Sequence, residues 1–169
     1  GFTTRKTMQV AQKLYEGVNI GDEEGTVGLI SYMRTDSVSL SAEALAEIRD
    51  VIARDFGTQA LPDKPNVYVT KSKNAQEAHE AVRPTSALRT PAQVARYLSD
   101  DERKLYDLIW KRAVACQMVP ATLNTVSVDL AAGSQHSFRA SGTTVVFPGF
   151  LAVYEEGKDS KAAEDEDEG

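Results

Sequence analysis

The hydrophobic and polar positions change their rhythm once along the chain. Over residues 4–16, Met8, Val10, Ala11, Leu14 and Tyr15 recur at helical spacing behind Thr3 and Thr4, either of which can cap a helix. Gly17, Gly21 and Gly25 with Asp22-Glu23-Glu24 predict a polar turn. Residues 27–34, VGLISYMR, are apolar, aromatic and β-branched, and predict a short strand before the turn Thr35-Asp36-Ser37. Ser41 opens a helix over 41–55, with Ala44, Leu45, Ile48, Val51 and Ile52 as its apolar stripe and Phe56-Gly57 as its end. Pro62 and Pro65 mark a loop with a short extended piece, NVYVT. Residues 75–82 predict one or two helical turns stopped by Pro84, because the residue before a proline disfavours the α region. Pro91 suits the first position of a helix over 91–98. A further helix is predicted over 101–116, buried through Leu105, Leu108, Ile109, Trp110 and Ala113.

Beyond Pro120 the period becomes two. Residues 122–130, 136–140 and 143–154 predict three strands, divided by Ser141-Gly142 and Pro148-Gly149. The fold class expected is therefore α+β. A mainly helical unit over residues 1–118 precedes a partial β unit over 119–155. Residues 156–169 form an acidic tail with almost no apolar content, expected to be disordered. Two or three strands do not readily make an independent sheet, so the β part reads as half of a larger structure.

Composition changes this picture little. The 169 residues are 41% hydrophobic and 26% charged, which suits a soluble globular domain. No run approaches the length of a membrane span, so no membrane partner is expected. No N-terminal segment reads as a signal peptide. The single cysteine, Cys116, excludes an internal disulfide and a four-cysteine zinc site, and suits a reducing cytoplasm. Net charge is −6, but residues 157–169 alone carry −4 of it. The near-neutral remainder does not announce a nucleic-acid binder, so any such function must rest on a local site.

The chemistry concentrates around Tyr32. In a strand, Tyr32, Arg34 and Asp36 would share one face. A phenolate can attack a phosphodiester and become phosphorylated. Phenol titrates near 10, so it needs help to ionise at neutral pH; a guanidinium favours the anion and can grip a phosphate oxygen. The plain alternative is an ordinary strand tyrosine beside a surface cation. A second cluster, QEAHEAVRPTS, would align Gln76, His79, Glu80 and Arg83 on one helical face. His79 can donate to a phosphate, and Arg83 can pair with Glu80 or reach a phosphate. A solvated helix face is the alternative here. Asp22-Glu23-Glu24 and Asp100-Asp101-Glu102 read as turn and helix-start features rather than metal sites, His136 as structural and Cys116 as core.

SYMRTDSVSLS at 31–41 resembles the active-site segment of type IA DNA topoisomerases, and NAQEAHEAVRPT at 74–85 resembles their second signature. TTRKTMQVAQKLYE and ERKLYDLIWKRAVACQM are similar to the segments that flank these motifs. Met33 favours the bacterial topoisomerase I branch. The resemblance covers roughly residues 1–155. It implies that Tyr32 is the nucleophile forming a 5′-phosphotyrosyl link with single-stranded DNA. It implies that Arg34 positions the scissile phosphate, with His79 nearby and Arg83 in the same DNA-binding motif. The implied outcome is relaxation of negatively supercoiled DNA without ATP. The implied fold is a helix-turn-helix-like tyrosine domain followed by strands of a β arch. The Toprim domain that holds Mg²⁺ in such enzymes is not in this sequence. The chain alone is then expected to bind no metal, to be inactive, to work with the remaining domains of a longer enzyme, and to be monomeric. A cytoplasmic, nucleoid-associated location follows. The rival expectation is a non-catalytic DNA-binding or protein-interaction module, which the net acidic residues 41–55 disfavour.

Overall fold

A computed structural model describes residues 1–68, 80–133 and 135–155. The architecture is α+β: four α-helices and two small antiparallel sheets among the described residues. Helix α1 spans Thr4–Glu16. The Thr3 side chain caps it by accepting from the Lys6 backbone N–H at 3.3 Å. Val10, Ala11 and Leu14 form its buried stripe. Strands β1 (Val18–Asn19) and β2 (Thr26–Val27) then make a minimal hairpin. Helix α2, Ala42–Phe56, is capped by Ser41 and buries Ala44, Ile48, Val51 and Ile52. Helix α3, Pro91–Val94, starts at proline as expected but tightens into a 3₁₀ turn over Ala95–Tyr97.

Helix α4, Asp100–Ala115, opens with a reciprocal capping box. The Ser99 backbone donates to Glu102 at 2.8 Å while the Glu102 backbone donates to the Ser99 hydroxyl. Its buried face is Leu105, Tyr106, Trp110, Ala113 and Val114. Leu108, expected inside, is exposed, and the stripe turns to bring in Tyr106 and Val114 instead. Both large aromatics keep a polar partner. Trp110 donates from Nε1 to the Ala87 carbonyl at 2.9 Å, and Tyr106 donates to the Arg89 carbonyl at 2.6 Å. Burial pushes the Tyr106 phenol up from its ordinary value. These two bonds fasten residues 87–89 to α4, and the core closes between α1, α2 and α4.

The strand expected over 27–34 is only partly formed. Ladder pairing stops at Val27, and one isolated bridge joins Ile30 to Pro84. Thr85 donates to the Leu29 carbonyl at 3.0 Å and Ser31 donates to the Arg83 carbonyl at 2.8 Å. Pro84, between them, has no N–H to extend a ladder. Tyr32 and Arg34 therefore do not sit on a strand, and the alternation that would place them on one face does not apply. The helical turns expected over 75–82 fall mostly outside the described residues; Glu80, Ala81 and Val82 are not helical.

The β part holds two long strands rather than three. β3 is Thr122–Ala132 and β4 is His136–Phe147. β4 runs straight through Ser141-Gly142, because Gly142 pairs with Val126 and Ser141 with Ser127 in unbroken register. After Pro148 the chain forms a 3₁₀ turn, Gly149–Ala152, not a strand. The hairpin base is pinned by Val119 donating to Ala60 at 2.9 Å and Phe150 donating to Val119 at 3.0 Å. Gly149 must be glycine there: its φ is +51°, and a Cβ would lie 2.5 Å from the Val119 and Pro120 carbonyl oxygens. The acidic tail at 156–169 lies outside the described residues.

Candidate active site

The segment carrying Tyr32 is held from two sides. On one side it meets the end of α1. The Leu29 backbone donates to the Leu14 carbonyl at 2.7 Å, and a Cβ on Gly28 would lie 2.6 Å from the Tyr15 carbonyl oxygen. Glycine at 28 is what permits this approach. On the other side it meets residues 81–85. Thr85 donates from its hydroxyl to the Gly28 carbonyl at 2.7 Å. The Ser31 hydroxyl donates to Ala81 at 2.8 Å and accepts from the Arg83 backbone at 2.9 Å. Leu29, Ile30 and Met33 are buried. Tyr32, between the buried Ile30 and Met33, is pushed outward and stands 49% exposed. Its ring meets the Tyr15 ring edge-to-face, with centroids 5.3 Å apart and planes at 60°.

Arg34 is half exposed, and its Nε lies 2.7 Å from Asp36 Oδ2. That pair joins two of the residues expected to share a face, by local turn geometry rather than strand alternation. Arg83 is more enclosed. Its guanidinium donates twice to Glu80 Oε2, at 2.6 and 2.9 Å, and once to the Pro84 carbonyl at 3.0 Å. Burial raises the Glu80 pKa, but hydrogen bonds from Ser41 and Arg83 outweigh it and hold the carboxyl below its ordinary value. Arg83 thus ties residues 80–84 together beneath Ser31. His79 and Gln76 lie outside the described residues.

The remaining sequence candidates fall into structural roles. Glu24 pairs with Arg89 at 2.8 Å, and Asp101 with Lys6 at 2.8 Å. His136 begins β4 opposite Ala132. Cys116 is half buried rather than fully core, donates to the Ala113 carbonyl, and has its thiol pushed up by burial. Among the described residues, no group of three or more His, Cys, Asp or Glu side chains comes together to hold a metal. Two residues escaped the sequence reading. Tyr15 was only an apolar helix position there, and nothing local signals its contact with Tyr32. Gln117 is fully buried and exchanges two bonds with the Asn66 backbone, both 3.0 Å, across 51 residues of sequence.

A motif-bearing tyrosine lifted between two buried neighbours, beside an arginine–aspartate pair, is the frame into which the comparisons fit. The family model described as DNA topoisomerase matches residues 1–168. DNA topoisomerase 1 of Xylella fastidiosa strain 9a5c is 79% identical over 169 residues, all of this chain and 21% of that protein. DNA topoisomerase 1 of Rickettsia felis is 50% identical over 166 residues, 98% of this chain and 21% of that protein. The solved structure of full-length topoisomerase I from Thermotoga maritima superposes with a TM-score of 0.76 at 34% identity, covering 96% of this chain and 25% of that one. The chain belongs to the DNA topoisomerase family, in its bacterial type IA topoisomerase I branch. It spans about a fifth of the length of the curated relatives it matches.

Proposed function

We propose that this chain carries the nucleophile of a type IA DNA topoisomerase, and that the nucleophile is Tyr32. The observation that carries the reading is the outward, half-exposed side chain of Tyr32, standing out beside buried Leu29, Ile30 and Met33, inside the motif SYMRTDS. The Tyr32 hydroxyl gives up its proton and its oxygen attacks a backbone phosphorus of single-stranded DNA. A bond forms between that oxygen and the 5′-phosphate. The bond to the 3′-oxygen breaks, and the 3′-oxygen takes up a proton. Reversal restores both, so resealing needs no ATP. Arg34 grips a phosphate oxygen and opposes the charge that builds on phosphorus. Asp36 holds that guanidinium in place meanwhile. His79 contributes a further phosphate contact. Arg83 supports the floor of the site through its pair with Glu80 and is the third DNA-binding residue of the reading, beside Arg34 and His79.

Relaxation of negatively supercoiled DNA is then the work of the longer protein, in the bacterial cytoplasm with its DNA. Mg²⁺ is assigned to other parts of that protein, and no step here runs through it. The isolated chain is expected to leave supercoiled plasmid unchanged.

The test is covalent trapping on end-labelled single-stranded oligonucleotide by full-length enzyme carrying this sequence. Tyr32→Phe is expected to abolish the adduct. Arg34→Ala is expected to cut cleavage about a hundred- to a thousandfold, the usual loss for one charge-stabilising contact. His79→Ala is expected to cost less. Adduct formation by Tyr32→Phe protein sinks the reading.

A further inference from the structure

Backbone bonds at Leu29 and Ser31 fix the path of the segment that carries Tyr32, but a fixed backbone does not by itself settle where the phenol points. A half-exposed tyrosine has two side-chain torsions to settle, and an attacking oxygen must sit within a narrow range of position and direction. The Tyr15 ring meets the Tyr32 ring edge-to-face, with centroids 5.3 Å apart. Tyr15 itself is well anchored. It lies on the last turn of α1, next to Leu14, which is fully buried and accepts the Leu29 N–H. The missing Cβ of Gly28 lets that turn lie directly against the Tyr32 segment. Rigid helix, close backbone contact and ring contact thus form one continuous support, ending on the candidate nucleophile.

We propose that Tyr15 is a positioning residue, whose ring aims the Tyr32 phenol at the scissile phosphate. The inference rests on the nucleophilic reading of Tyr32. Tyr15 works through its ring face and edge, not through its hydroxyl. It takes no part in bond making.

The experiment uses full-length enzyme carrying this sequence and single-turnover cleavage of an end-labelled single-stranded oligonucleotide, with binding measured separately by anisotropy. Tyr15→Leu is expected to slow cleavage about three- to tenfold, as an aromatic pair of ordinary strength implies. Oligonucleotide affinity is expected to stay unchanged. Tyr15→Phe is expected to restore the wild-type rate, because it keeps the ring. Tyr15→Gln, which removes the ring without adding an exposed apolar group, is expected to match Tyr15→Leu; agreement of the two, with unaltered melting, separates aiming from folding. Three results overturn the proposal: wild-type cleavage by Tyr15→Leu and Tyr15→Gln, a loss of affinity that accounts for the slower rate, or a Phe variant as slow as the Leu variant. The Tyr32→Phe control keeps the two claims apart. A silent Tyr15 series beside an adduct-free Tyr32→Phe removes only the positioning role, whereas adducts from Tyr32→Phe remove the nucleophile itself.

Discussion

The helical part and the hairpin use similar apolar residues to opposite effect. Leu14, Leu29, Val51, Ile52 and Val114 have no exposed surface, and they close a core among α1, α2 and α4. In the hairpin, Val126 is 59% exposed and Phe138 is 65% exposed. The pairing register puts Val126 with Gly142, Val128 with Ala140 and Leu130 with Phe138 on one face. The other face carries Thr125 against Thr143, Ser127 against Ser141 and an Asp129–Arg139 ion pair. The hairpin is thus amphipathic, with its apolar side open. A two-stranded sheet is marginal by itself, so this face suits burial against another part of a longer protein. The difference teaches where this chain holds its own stability. The Tyr32 segment is built on the part that closes this core.

The comparison breaks most visibly at Trp110. Trp110→Ala removes a buried ring and leaves the Ala87 carbonyl without its donor. A loss of about 3–5 kcal/mol is expected, the usual size for a buried aromatic truncated to alanine. Urea unfolding followed by far-UV circular dichroism measures it. A loss below about 1 kcal/mol would mean that α4 does not organise the core.

A smaller effect sharpens the helical side through pH. The folded-state pKa of Glu80 lies below its ordinary value of 4.5, so the unfolded chain takes up that proton more readily. The contribution is complete above pH 4.5 and is lost as pH falls through the lower folded value. Glu80→Gln is expected to make the acid-side loss of stability shallower, while leaving its slope near neutral pH unchanged. Melting temperatures across an acid series check it. An unchanged acid slope would show that the Ser41–Glu80–Arg83 contacts contribute nothing to folding.

The smallest effect is expected in the hairpin. Val128→Ser in the 169-residue chain should alter stability by less than about 0.5 kcal/mol, since the side chain already faces solvent. The same substitution in the full-length enzyme should cost more, if the apolar face is covered there. Equal effects in both proteins would mean that the face stays open.

Much of this division was legible in the sequence. Helical spacing marked α1, α2 and α4, and Thr3 and Ser41 stand where a cap belongs, whereas the Ser99 cap of α4 came only with the structure. The change to period two after Pro120 marked the hairpin. Two errors came from reading local pattern as if it decided pairing. VGLISYMR has strand composition, but its partner segment presents Pro84, which cannot extend a ladder. Ser141-Gly142 looked like a turn, yet both residues have register partners across β3. The motif pointed to Tyr32 and Arg34; no shared strand face relates them, and Arg34 is set by its pair with Asp36. Tyr15 was not legible, because its role depends on how α1 packs on residues 28–32. Gln117 was hidden for the same reason: its partner Asn66 is remote in sequence.

The adduct itself gives the most direct measurement. Enzyme trapped on a short single-stranded oligonucleotide is digested, trimmed with nuclease and sequenced by tandem mass spectrometry. Trypsin leaves Tyr15 and Tyr32 on one peptide, bounded by Lys13 and Arg34, and cleavage at Glu16, Glu23 or Glu24 separates them. The account predicts the nucleotide mass on Tyr32 alone. The same mass on Tyr15, or on any other side chain, would contradict it.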